Sequence, residues 1–155
     1  MKTLIACYSF SGNTLKVAES LKTEVNADLI RIEPQKDTSY LMKCVNAMLK
    51  KSTPIKPCKA DLMGYDALVV CSPVWAWNVP PAVNEYLKEL KGCEGKKAGA
   101  IVTCGGSGNE KVMNKIKTEL TKKKMGFVGF ALLKEAEVKK GDYDDKIKAL
   151  AAVLK

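Results

Sequence analysis

The sequence predicts an α/β fold: an open, mostly parallel five-stranded sheet in the order 2-1-3-4-5, with helices on both faces. Three observations point to it. Short apolar runs alternate with stretches whose apolar residues recur at helical spacing, from one end of the chain to the other. The first run, Thr3–Cys7, is short and apolar, as expected for a strand covered on both sides. At 155 residues, the chain fits one domain (residues 1–155) and is far too short for an eight-fold barrel, which takes about 250.

The elements follow in order. Thr3–Cys7 is a short apolar run and reads as the first strand. Leu15, Ala18, Leu21 and Val25 mark a helix after it. Residues 28–32 form the second strand, ended by Pro34. Leu41, Val45, Met48 and Leu49 make a second helical stripe. Residues 50–60 carry two prolines and several lysines and read as a loop. Residues 67–71 are the third strand. Pro80 and Pro81 then open a helix carrying Val83, Tyr86, Leu87 and Leu90, since proline suits a first helical turn. Residues 98–103 are the fourth strand, and Val112, Met113, Ile116 and Leu120 mark its helix. Residues 127–133 are the fifth strand. Ile147, Leu150, Val153 and Leu154 mark the last helix.

Composition narrows the function. With 46% hydrophobic and 28% charged residues, the chain is globular rather than disordered. No apolar run approaches the roughly 18–20 residues of a membrane span. The N-terminus lacks the length and cleavage site of a signal peptide, so a cytoplasmic protein is expected. The six cysteines form no C-x-x-C pair and there is no histidine, so no metal site is expected. Cys7, Cys71 and Cys104 each end an apolar run and read as small buried hydrophobes. The net charge of +9 comes almost wholly from lysine, Arg31 being the sole arginine. Such a field favours an acidic partner. Lysines spaced along helices are a solvated face, and no nucleic-acid partner is expected.

In this strand order ligands bind beyond the carboxyl ends of strands one, three and four. The three loops expected there are all uncharged, in a chain rich in charge. The first is Ser9, Phe10, Ser11, Gly12, Asn13 and Thr14. Its hydroxyls, one glycine and an immediate helix start are the ingredients of a phosphate cradle, needing no lysine or arginine. The same residues would also suit an ordinary capped turn. The second loop is Ser72, Pro73, Val74, Trp75, Ala76, Trp77 and Asn78, stiffened by prolines at both ends. Two tryptophans two residues apart suit a flat aromatic ligand, with at least one of them in contact. The third loop holds Cys104, Gly105, Gly106, Ser107 and Gly108, where glycines let backbone N–H groups approach a ligand.

The first loop, S-F-S-G-N-T, resembles the phosphate loop of flavodoxins, [S/T]-x-[S/T]-G-[N/T]-T. Ser9, Ser11, Gly12, Asn13 and Thr14 match it position by position. Chain length, element order and the sites of the other two loops match as well, so the resemblance spans nearly the whole chain and is to the short-chain, flavodoxin-like form. It implies that one flavin mononucleotide (FMN) binds, with Ser9, Ser11, Asn13 and Thr14 on its phosphate, and that the protein carries low-potential electrons between redox partners. An acidic redox protein such as a ferredoxin, or a reductase, is the expected partner.

Other owners of the fold fit less well. A low-molecular-weight phosphotyrosine phosphatase needs an arginine six residues after its cysteine, and after Cys7 that position is Asn13. A response regulator needs an acidic pair where this chain has Tyr8 and Ser9. A dinucleotide-binding domain needs G-x-G-x-x-G where there is only Gly12. Within the flavin class the sequence departs from the usual carrier three times. The third loop has no aromatic residue, the charge is strongly positive, and Val74 to Val79 contain no glycine. A less enclosed ring would suit an NAD(P)H-dependent FMN oxidoreductase acting on a quinone or other small acceptor. That enzyme, and a flavin-binding interaction module, remain the alternatives to the carrier.

Overall fold

A computed structural model describes residues 1–49 and 51–155, and for Tyr40 the backbone only. Lys50, where the expected 50–60 loop begins, lies outside the described residues. The chain runs β1 (Thr3–Cys7), α1 (Asn13–Val25), β2 (Asp28–Arg31), α2 (Tyr40–Met48), β3 (Ala67–Pro73), α3 (Pro81–Glu89), β4 (Lys97–Cys104), α4 (Asn109–Lys122), β5 (Gly126–Lys134), α5 (Glu135–Lys140) and α6 (Asp144–Leu154). The five strands form one sheet in the order β2-β1-β3-β4-β5, and every pairing is parallel. This is the expected topology. Among the described residues no helix is long and apolar enough to cross a membrane.

Strand alternation divides the core in two. Leu4, Ala6, Leu68, Val70, Ala100 and Val102 face one side, where Val83, Tyr86 and Leu87 of α3 and Val112, Ile116 and Leu120 of α4 cover them. Ile5, Cys7, Val69, Cys71 and Ile101 face the other, covered by Val17, Ala18 and Leu21 of α1 and by Ile147, Leu150 and Leu154 of α6. Burying each such aliphatic side chain contributes about 1.5–3 kcal/mol. The register places Cys7 beside Cys71 and Cys71 beside Ile101, so β1, β3 and β4 open at the same edge of the sheet, with β3 running two residues and β4 three beyond the end of β1. That common edge positions the site.

Close packing on the α6 side depends on Gly129. A Cβ there would lie 2.8 Å from Val153 and 3.2 Å from Leu150. Next to it the β4–β5 register shifts between Ala98 and Gly99.

Two expectations change. The stripe Leu41, Val45, Met48 and Leu49 does lie on a helix, but it faces outward, with exposures of 74%, 36%, 60% and 55%. The inward face of α2 is Lys43 and Ala47. The outward stripe is the more apolar of the two, so spacing reveals the helix but not its orientation. Lys43 buries its stem and keeps its amine paired with Asp37, 2.5 Å away. The last helix stands where expected, as α6, but a short helix not expected from the sequence, α5, precedes it. Gly141, at φ 77°, caps α5 in the left-handed conformation, and α6 starts anew. On α6, Ile147, Leu150 and Leu154 are buried as expected, whereas Val153 is 43% exposed.

Candidate functional site

The three uncharged loops meet at the carboxyl edge of β1, β3 and β4, and three cross-braces hold them together. In the first, the Thr14 and Thr103 hydroxyls lie 2.7 Å apart in the interior, joining the start of α1 to the end of β4. In the second, Trp75 is buried and packs edge-on against both Tyr8 and Phe10, with ring centroids 5.3 and 5.9 Å away. This ties the first loop to the second. In the third, the Trp77 indole N–H donates to Ser107 Oγ at 3.0 Å, tying the second loop to the third. The Val74 N–H also donates to the Thr103 carbonyl, at 2.9 Å.

The first loop turns its hydroxyls and first-turn N–H groups outward from a glycine turn. Gly12 takes φ 93°, a left-handed conformation that suits glycine, and caps α1. Ser9 Oγ accepts from the N–H groups of Gly12 and Leu15, at 3.2 and 3.3 Å. Those bonds use its lone pairs and leave its own O–H to donate outward. Asn13 Nδ2 donates to Ser11 Oγ at 3.2 Å, with the same consequence for Ser11. Helix geometry gives the N–H groups of Asn13 and Thr14 no intrahelical acceptor. They emerge at the positive end of the α1 dipole, among exposed Ser11 and Gly12. The Thr14 side chain itself is only 2% exposed and is turned toward Thr103, so Thr14 offers a ligand its backbone.

The second loop closes on itself. Trp75 and Asn78 exchange two backbone hydrogen bonds, at 3.0 and 2.8 Å, around Ala76 and Trp77. Both central residues have positive φ, 45° and 57°, which is the geometry of a two-residue type I′ turn. Asn and Gly are the residues that adopt it readily, so Ala76 and Trp77 hold it under strain. Asn78 Nδ2 braces the turn through the Ala76 carbonyl at 3.0 Å. The turn leaves Trp77 62% exposed, whereas Trp75 is 7% exposed. Ser72 is fully buried with its hydroxyl on the Pro73 carbonyl, so it supports the loop from behind.

In the third loop the glycines have separate reasons. Gly108 takes φ 91°, and a Cβ there would lie 2.9 Å from Trp77 and 3.1 Å from Val74, so close packing of the second loop requires it. Gly105 and Gly106 have ordinary φ. A Cβ on Gly106 would meet nothing within 4 Å, and one on Gly105 only the Glu135 carboxylate at 3.9 Å. The protein's own packing does not demand glycine at either place, whereas a ligand approaching the backbone would. Cys104, 2% exposed, lies beneath them, and burial pushes its thiol pKa up. Cys7 and Cys71 are equally enclosed, at 1% and 0%.

Tyr8, Thr103 and Lys43 also shape the site and were not among the expected residues. Tyr8 braces Trp75, and burial raises its phenol pKa well above normal, keeping it neutral. Lys43 Nζ stands 4.6 Å over the exposed ring of Phe10. Thr103 carries one faint sequence signal, a polar residue interrupting the apolar run that ends β4.

An open parallel sheet in the order β2-β1-β3-β4-β5, with a hydroxyl-rich loop after β1, an aromatic turn after β3 and a glycine-rich loop after β4, defines a flavodoxin-like α/β protein. The chain belongs to the flavodoxin family, whose profile matches residues 2–140. Solved structures share the fold. A flavoprotein from Lactobacillus acidophilus in complex with FMN has a TM-score of 0.73 at 22% identity, covering 90% of this chain and 97% of its own. The flavodoxin of Megasphaera elsdenii has a TM-score of 0.64 at 18% identity, covering 97% and 98%. A flavodoxin, WrbA-like protein from Agrobacterium tumefaciens has a TM-score of 0.68 at 14% identity, covering 99% and 94%. An uncharacterized protein of Archaeoglobus fulgidus is 27% identical over 101 residues, 64% of this chain and 63% of its own length.

Proposed function

We propose that this single-domain, cytoplasmic protein binds one FMN where the three loops converge and carries electrons between redox partners. The observation that carries this reading is the pairing of two features. An uncharged cradle of hydroxyls and first-turn N–H groups faces outward at α1, and Gly105 and Gly106 leave backbone open where packing asks for no glycine. Ser9 and Ser11 would hold the phosphate through their hydroxyls. Gly12, Asn13 and Thr14 would hold it through the backbone. Phe10 and the turn from Val74 to Asn78 would border the ring, with Trp77 as the exposed aromatic surface and Trp75 as its support. Residues 104–108 would face the ring's polar edge. When bound, the flavin supplies reversible one- or two-electron transfer. The Lactobacillus flavoprotein, which has this fold, was solved with FMN in place.

One observation favours a second reading. The third loop presents Gly105 and Gly106 rather than an aromatic ring, which leaves room for a second reactant. In that case the protein is an NAD(P)H-dependent FMN oxidoreductase reducing a quinone or other small acceptor. Calorimetric titration with FMN, FAD and riboflavin tests the cofactor. The expected order is FMN first, at micromolar affinity or tighter, and absence of FMN binding to folded protein rejects both readings. Turnover of NADH and NADPH with a quinone then separates them. Negligible turnover supports the carrier, and rapid turnover supports the reductase.

A further inference from the structure

A hollow separate from the first loop lies beside the site. It is a cavity of about 370 Å³ between α3 and α4, bordered at one end by Trp77 and Asn78 of the turn. No residue of the first loop and none of residues 104–108 lines it; it shares only Trp77 and Asn78 with the three loops. Its floor is apolar and rigid, made of Val79, Leu87 and Val112, which are 3%, 3% and 0% exposed. The exposed indole of Trp77 forms a wall.

Its rim is cationic. Lys111 and Lys115 stand one turn apart on α4, and Lys88 faces them from α3. The single lining carboxylate, Glu119, is already shared by Lys115 at 2.8 Å and Lys122 at 3.1 Å. Those two ammonium groups hold its pKa below the usual glutamate range. Lys88 is bonded to Ser52 Oγ and lies 3.8 Å from Glu85. Lys111 has no carboxylate within 4 Å among the described residues, so one positive charge at the mouth is unmatched.

We propose that this α3–α4 groove is a binding site, separate from the phosphate cradle, for a small planar aromatic anion. A floor of three aliphatic side chains and an indole wall suit a flat ring system of one or two fused rings. The volume lies at the low end of small-molecule sites, about 300–1,000 Å³, which excludes a folded partner or a nucleotide with two ring systems. The acidic group of the ligand points to Lys111, with Lys115 and Lys88 beside it. Trp77 belongs to both the groove and the three-loop site, so occupancy registers at the turn. The proposal stands whether or not the loops hold FMN.

The test uses the full chain, both as purified and saturated with FMN. The probes are 2-naphthoate and its neutral counterpart 2-naphthalenemethanol. Calorimetry should give one naphthoate site with a Kd on the order of 0.1 mM, as expected for about 13 non-hydrogen atoms. The neutral probe should bind about tenfold more weakly, because it lacks the charge-assisted bond to lysine. In ¹H–¹⁵N spectra the exposed Trp77 indole N–H should move and that of buried Trp75 should not. Lys111→Gln should remove most of the difference between the probes. Asn84→Phe, which fills the groove from α3, should abolish binding of both while circular dichroism stays native. The proposal is overturned if the two probes bind equally, if naphthoate leaves Trp77 unmoved, or if FMN displaces naphthoate competitively. Failure of FMN to bind, with naphthoate behaving as described, removes the cofactor reading and leaves this one intact.

Discussion

Thr14 and Thr103, 89 positions apart in sequence, place their hydroxyls 2.7 Å from each other in the interior. The bond fixes the start of α1 against the end of β4, and so fixes the first loop relative to the third. Thr103→Val leaves the buried Thr14 hydroxyl without its partner. That should cost about 1–3 kcal/mol in urea unfolding, and Thr14→Val should cost a similar amount. The double variant Thr14→Val/Thr103→Val should cost clearly less than the sum, since it removes both polar groups together. Simple additivity would show that the pair is not coupled.

Ala76 and Trp77 carry left-handed backbone at φ 45° and 57°. Ala76 is half-buried at the tip of the turn, and its carbonyl rather than its methyl makes the bond to Asn78. Ala76→Gly should therefore relieve more strain than it adds in unfolded-chain entropy. We expect a stabilisation of about 0.5–1 kcal/mol, or about 2 °C in Tm. Trp77→Gly relieves similar strain but loses the bond to Ser107 and the packing on Gly108, so it should not stabilise. A lower Tm for Ala76→Gly would mean that the turn is not strained.

The cradle can be tested by charge. Ser11→Asp puts a carboxylate among the first-turn N–H groups of α1, in the space an FMN phosphate would take. Like charges at close range in a partly desolvated site cost several kcal/mol, so FMN affinity should fall by two or more orders of magnitude. Riboflavin, which has no phosphate, should lose far less. Equal losses for the two ligands would place the phosphate elsewhere.

Glu137 offers a pH prediction. Its carboxylate accepts from the Lys134 backbone N–H and from Lys146 Nζ, each at 2.7 Å, which ties α6 to the end of β5. First the backbone bond, then the lysine, holds its pKa below the normal glutamate value of 4.5. A carboxyl with a depressed folded-state pKa stabilises the native state above its unfolded pKa. That stability is lost as pH falls through the folded pKa. Glu137→Gln should thus lower Tm near neutrality, and the gap to the parent should close as pH falls through and below 4.5. A gap that is constant from neutral to acidic pH would contradict the assignment.

Much of this was legible in the sequence because it is local. Short, mostly apolar runs marked five strands, glycine and proline marked the turns, and the neutrality of Ser9–Thr14, Ser72–Asn78 and Cys104–Gly108 stood out against a lysine-rich background. What escaped depends on neighbours distant in sequence. Periodicity could not say that α2 buries Lys43 and Ala47 rather than Leu41 and Val45, since the outward stripe is the more apolar of the two. Two adjacent tryptophans looked equivalent until Tyr8 and Phe10 took Trp75 and the I′ turn put Trp77 outside. The α3–α4 groove joins stripes at 84, 87 and 88 with others at 111, 112 and 115, and nothing in either stretch alone marks it.

The last prediction separates a carrier from an enzyme, and it starts from the distribution of charge. The net charge is +9, and the three loops contribute nothing to it. The lysines crowd the helices instead: Lys111, Lys115, Lys117 and Lys122 along α4, Lys139 and Lys140 on α5, Lys146 and Lys148 on α6. Only part of this charge is cancelled by ion pairs such as Lys115–Glu119 and Lys146–Glu137. On the carrier reading, a neutral crevice set in a positive surface would steer an acidic redox protein toward the site. Electron transfer with a ferredoxin should then slow steeply from low salt to about 0.5 M, where the Debye length shrinks to a few ångströms. A neutral quinone feels almost none of this field, so its rate should be flat across the same series. Stopped-flow measurements with both reactants on the FMN-loaded protein decide the matter. A steep salt dependence with ferredoxin and negligible NAD(P)H oxidation is the carrier's signature. Rapid, salt-indifferent NAD(P)H–quinone turnover would make the protein a reductase.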